Sequence, residues 1–189
     1  MGYKRGNMAI LARKRFNFGK SGQMHLPLEM IFSLFIIAVF LAVAFFVIRH
    51  FLEVKRCADI GLFTRQLQDK IDEVWQAQEA STFFEHELPS GLDYACFADL
   101  QIGKILAGLN DAERETASQI YDDLAAYFKY RNANFFLYPW QKACSMAASD
   151  IKHIRIQNAT NPLCFLEVKG KIRIKLVKGF NDALVRIGN

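Results

Sequence analysis

The side chains best suited to chemistry in this 189-residue chain are four cysteines, four histidines and one acidic pair. Cys57, Cys96, Cys144 and Cys164 lie far apart, so none forms the C-x-x-C spacing of a redox or zinc site. The histidines, His25, His50, His86 and His153, are scattered. His86 sits between Glu85 and Glu87, but adjacent side chains do not converge on one point as metal ligands must, and a surface loop is expected there. Asp122 and Asp123 are neighbours on a predicted helix, where consecutive side chains diverge by about 100° and build no acid–base dyad. The chain contains no H-E-x-x-H, no G-x-S-x-G, no phosphate-binding glycine loop and no dinucleotide fingerprint. It reads as a non-enzyme, with no cofactor or metal site expected.

The cysteines offer structural chemistry instead. An even number in an exported domain suggests up to two disulfides with three possible connectivities; the alternative is buried free thiols acting as small hydrophobes. The expected bridge is Cys144–Cys164, with 19 residues between them, an unstrained loop closure worth roughly 3 kcal/mol. Cys57 and Cys96 would be the remaining pair. Asn158-Ala159-Thr160 is a glycosylation sequon, making Asn158 a modification candidate on an exported loop.

Exported chemistry requires an element that crosses a membrane. From Met30 to Ile48 every side chain is apolar except Ser33. At about 1.5 Å per residue this run is roughly 29 Å long, which matches the hydrocarbon core of a bilayer. It exceeds the apolar region of a secretory signal and lacks an A-x-A cut site. Lys4, Arg5, Arg13, Lys14, Arg15 and Lys20 face Glu29 alone in the first 29 residues, so the chain's whole net charge of +5 lies before the span. The positive-inside rule then places the N-terminus in the cytoplasm and the rest outside. The pI near 9.0 is a topogenic signal rather than a nucleic-acid footprint, and no nucleic-acid partner is expected. The chain divides into a basic cytoplasmic leader (1–22), a membrane-spanning segment (23–49) and an extracytoplasmic head (50–189).

The head reads as α+β. The first helix is expected to continue past the span, because Ile60, Phe63, Leu67, Ile71, Val74 and Trp75 recur at helical spacing on one face, with Cys57 on the side of Ile60. Gly61 weakens it locally by about 1 kcal/mol. This long transmembrane-plus-amphipathic helix needs a partner, predicted to be a small, mainly antiparallel sheet. Leu88-Pro89-Ser90-Gly91 is a turn signal before a strand over 92–100. Asn110 with Glu113 looks like a capping-box variant opening a second helix, whose apolar face carries Ala117, Ile120, Tyr121, Leu124 and Phe128. Further strands are expected at 134–138, 151–156 and 182–187. Residues 164–168 and 171–177 read as a hairpin around Lys169-Gly170, its second arm burying Ile172, Ile174 and Leu176 and wetting Lys171, Arg173 and Lys175.

The leader carries a more specific pattern. Lys20-Ser21-Gly22-Gln23, then Glu29, then a long apolar helix, resembles the class III signal of archaeal type IV pilin-like proteins. Glu29 falls at position seven counted from Gln23, later than is typical of that family, with Pro27 intervening. The resemblance implies a leader peptidase that cuts between Gly22 and Gln23 and leaves the apolar helix on the mature chain. It also implies that Glu29 pairs with the amine freed at Gln23 on an adjacent copy. The expected function is a structural or adhesive subunit of a cell-surface filament, stored in membrane lipid before self-assembly. The alternative is a monomeric, single-pass, membrane-tethered binding or assembly factor.

Overall fold

The computed structural model describes residues 28–156 and 160–188. The chain falls into two compact units, residues 1–45 and 46–189. Helix α1, Leu28–Gln76, contains the boundary. In the first unit the apolar side chains from Met30 to Phe45 are exposed, Ile36 alone being partly covered. A helix greasy on all sides is the pattern of a membrane span, and this one is long and apolar enough to cross a membrane.

In the second unit α1 stays uncovered as far as Lys55 and then becomes one-sided. Ile60, Phe63, Leu67, Ile71 and Val74 are buried, the i, i+3, i+4 pattern of a helix lying on a core. Trp75 remains 36 % exposed; its indole donates to the Ala183 carbonyl at 3.1 Å. The end of α1 is held by Lys178, whose ammonium donates to the carbonyls of Trp75 and Ala77. A cation on orphan carbonyls is the favourable arrangement at a helix C-terminus.

The head is α+β as expected. Its strands are β1 (Ala80–Glu87), β2 (Tyr94–Phe97), β3 (Ile105–Leu106), β4 (Phe135–Tyr138), β5 (Ala148–Ser149), β6 (Ile154–Ile156), β7 (Thr160–Asn161), β8 (Leu163–Leu166), β9 (Lys171–Lys178) and β10 (Val185–Gly188). They form two four-stranded sheets, ordered β1-β9-β10-β6 and β5-β4-β2-β8, and a β3-β7 ribbon. All pairs are antiparallel except β10 with β6. The single sheet anticipated from the sequence is thus two, and strand β1 had not been anticipated at all.

Phe63 joins the layers. Its ring meets Phe84 of the first sheet edge-on at 5.7 Å and stacks on Phe135 of the second at 6.5 Å. On β4 the next residue, Phe136, meets Phe128 of helix α2 (Asp111–Phe128) at 5.9 Å. Successive strand side chains point to opposite faces, so the second sheet has α1 against one face and α2 against the other. That explains the unbroken burial of Ala95-Cys96-Phe97 and Phe135-Phe136-Leu137. The first sheet keeps one wet face: on β9, Ile172, Ile174 and Leu176 are buried between exposed Lys171 and Arg173 and half-buried Lys175.

Helix α2 forms as its sequence dictates. The Asn110 side chain accepts from the Glu113 amide at 2.9 Å, and the Glu113 carboxylate accepts from the Asn110 amide at 3.1 Å. Its buried residues are Ala117, Ile120, Tyr121, Leu124 and Phe128. The Leu88–Gly91 turn is closed by the Leu92 amide on the Pro89 carbonyl. The strand after it is shorter than expected, because chain pairing ends at Phe97 and Asp99 turns away to meet Asn161. That buried amide accepts from the Asp99 amide at 2.9 Å and donates to the carbonyls of Asp99 and Gly103.

Two further expectations are corrected. Lys169 and Gly170 do form a tight turn, with φ of 55° and 82° and a bridge between Val168 and Lys171, the positive-φ pair that a two-residue turn demands. The arms nevertheless part: β8 pairs with β2 and β9 with β1, in different sheets. The bridge expected between Cys144 and Cys164 does not form. Cys57 bonds Cys144 and Cys96 bonds Cys164. The physical reason is register: Cys96 and Cys164 are direct cross-strand partners on β2 and β8, where side chains on one face are neighbours.

Candidate functional site

Three groups of residues could carry function: the exposed apolar helix, the charged neck that follows it, and a polar cluster at the far end of α1. Gly22 and Gln23, the expected processing site, lie outside the described residues, as does the glycosylation candidate Asn158. Glu29 falls in the first turn of α1.

The apolar helix presents Phe32, Phe35, Phe40, Phe45, Phe46 and Phe51 among exposed aliphatic side chains. Each phenyl left in water forfeits transfer free energy on the order of 2 kcal/mol, so leaving this surface in water is costly. The apolar run ends at Ile48, and Arg49, His50, Glu53, Lys55, Arg56 and Asp59 follow within the next three turns. Cys57 begins the covered part of the helix through its bond to Cys144.

The polar cluster joins residues far apart in sequence. His153 Nδ1 lies 2.9 Å from Asp72 Oδ1, and its ring stacks on Trp75 with centroids 3.8 Å apart. Gln68 donates to Asp72 at 2.8 Å and accepts from the Lys152 amide at 2.8 Å. His153 holds φ near 62°, while its carbonyl accepts from the Val185 amide at 2.8 Å. The arrangement orients an imidazole with a carboxylate and fastens α1 to the β5–β6 connection. Nothing in the sequence pattern pointed to it, because Asp72 and His153 are 81 positions apart.

The other titratable residues separate as well. Asp122 pairs with Lys104 at 2.8 Å, whereas Asp123 accepts from the Tyr138 hydroxyl at 2.8 Å. That hydrogen bond, then burial and the carboxylate's charge, raises the Tyr138 phenol above its ordinary pKa. His86 lies on strand β1 instead of the expected loop, its ring against Phe63 and Phe84. Among the described residues no group of three or more His, Cys, Asp or Glu side chains could hold a metal ion.

No family model matches the chain, and no curated protein or solved structure matches it either. What the structure itself provides is one helix long and apolar enough to span a membrane, and an α+β head that carries two disulfides.

Proposed function

We propose that this chain is a pilin-like structural or adhesive subunit of a cell-surface filament, anchored by α1 until it assembles. The observation that carries the reading is that α1 has two surfaces. From Met30 to Val54 its apolar side chains lie open, Ile36 alone being partly covered, while from Ile60 onward one face is buried in the head. A helix of this kind can be stored in lipid and later packed against equivalent helices without rebuilding the head. The leader adds the second support, since Gly22-Gln23 with Glu29 ahead of the apolar run resembles a peptidase-cut class III signal.

Orientation rests on the disulfides more than on charge. Within about 20 residues of the span, the basic residues number four on each side: Arg13, Lys14, Arg15 and Lys20 before it, and Arg49, Lys55, Arg56 and Arg65 after it. Two disulfides belong in an oxidising compartment, which favours a head outside the cytoplasm. Cutting before Gln23 removes all six leader cations and leaves 18 basic and 19 acidic residues, a nearly neutral chain that is easier to draw into an apolar assembly.

Replacing Gly22 with a bulky residue should leave an uncut, membrane-bound precursor and no filaments. Glu29→Ala should permit cutting yet impair assembly, because a buried carboxylate pairs with the freed amine of a neighbour. If both variants assemble as the wild type does, the filament reading fails. The late position of Glu29 and the intervening Pro27 favour a second reading, a monomeric membrane-tethered binding or assembly factor, for which cross-linking in the native membrane would recover only monomers.

A further inference from the structure

We infer that the neck of α1 is a binding site for the phosphate of an anionic phospholipid in the leaflet on the head's side. The inference rests on the membrane-anchor reading of α1 and adds a specific ligand chemistry to it.

The site is built within the second unit. Arg49, Leu52, Glu53, Lys55, Arg56 and Asp59, with Ser90 from the turn before β2, line one open depression. Lys55 and Asp59 are four residues apart on the helix, the spacing of a surface ion pair, yet neither has a salt-bridge partner among the described residues. Arg56 is more telling. Its Nε is sheltered from solvent and has no hydrogen-bond partner, a costly state for a donor on a permanently charged group. Turning that guanidinium toward the depression would give the donor a phosphate oxygen, and guanidinium is the side chain best shaped to take phosphate.

The position along the helix fits a headgroup. Arg56 lies eight residues beyond Ile48, about 12 Å at 1.5 Å per residue. The headgroup layer occupies roughly 5–8 Å on each side of the hydrocarbon core. Helical side chains lean toward the helix N-terminus, so Lys55 and Arg56 extend back toward the layer where phosphates lie. The three cations outnumber Glu53 and Asp59, which leaves the depression net positive and favours an anionic lipid over a zwitterionic one.

The full chain in neutral detergent is offered an equal mixture of phosphatidylglycerol and phosphatidylcholine with identical acyl chains. Lipid retained after gel filtration is then quantified by mass spectrometry. Wild type should retain phosphatidylglycerol several-fold over phosphatidylcholine, K55Q/R56Q should lose most of that preference, and K55R, which keeps both charges and the Arg56 guanidinium, should keep it. A leader variant, R13Q/K14Q/R15Q, should leave the difference between wild type and K55Q/R56Q in place, which separates the neck from the basic leader. An intact Cys57–Cys144 bridge in K55Q/R56Q shows that lost preference is not lost folding. Equal preference in wild type and K55Q/R56Q overturns the inference, as does release of the lipid by excess inorganic phosphate, which would mark a soluble-anion site. Alkaline carbonate that strips the wild-type chain from membranes would defeat the anchor reading itself and this inference with it; a chain that stays integral but shows no preference defeats the neck site alone.

Discussion

Cys57 on α1 is bonded to Cys144, 87 residues later, just beyond the short 3-10 turn Trp140–Lys142 that follows β4. The bridge sits where the helix passes from its exposed stretch to its covered one: Lys55 is exposed and Ile60 fully buried. It therefore fixes the point at which the head takes hold of the helix.

A non-reducing peptide map of native protein should recover Cys57–Cys144 and Cys96–Cys164, and no Cys144–Cys164 peptide. Closing a loop of 87 residues is worth on the order of 4 kcal/mol in the chain-entropy account. The C57S/C144S double variant should accordingly unfold at markedly lower denaturant, with its slope altered because the unfolded chain is less restricted. An unchanged midpoint would show that the bridge constrains nothing.

Asn110→Ala should destabilise the head by about 1 kcal/mol. It removes the acceptor for the Glu113 amide and leaves the Glu113 carboxylate without the reciprocal geometry of the capping box. Asn110→Asp should recover most of the loss, since it restores an acceptor and suits the helix dipole. Chemical denaturation of the three proteins checks this; equal midpoints for wild type and Asn110→Ala would rule out the cap as a stabilising element.

Tyr138 predicts an alkaline effect. Its hydrogen bond to Asp123 raises its pKa in the folded state above the ordinary 10.0. A phenol with a raised folded-state pKa adds stability that is fully present below about pH 10 and lost as pH climbs through the folded value. Tyr138→Phe should therefore melt lower than wild type at neutral pH, and the gap between the two should close above about pH 10. A gap in Tm that stays constant across that range would contradict the assignment.

What could be read from the sequence was local. Asn110 and Glu113 are three residues apart, and the face of α2 follows from 3.6-residue spacing, so both the cap and all five buried positions were legible. The same spacing marked Ile60 to Val74 on α1. Pairings between distant segments were not legible. Cys96 meets Cys164 because β8 lies beside β2, and no spacing in the sequence says so. Lys169-Gly170 specifies a turn but not that its two arms enter different sheets. Strand β1 was missed because Phe83 and Phe84 break the alternation and only Phe84 is buried; its partner β9, with clean alternation, holds it in place. The His153–Asp72 contact likewise depends on how the β5–β6 connection returns to α1. For the candidate function, the apolar run was readable from its length and continuity, whereas the neck depends on Ser90 and the unpartnered Arg56 Nε, which only folding brings together.

The central claim is that the apolar helix belongs to a processed filament subunit, and N-terminal sequencing of the protein isolated from its native membrane tests it most directly. The account predicts a mature chain that begins at Gln23 and keeps the whole of α1. A native chain that begins at Met1 would contradict it and leave a plain membrane-tethered head.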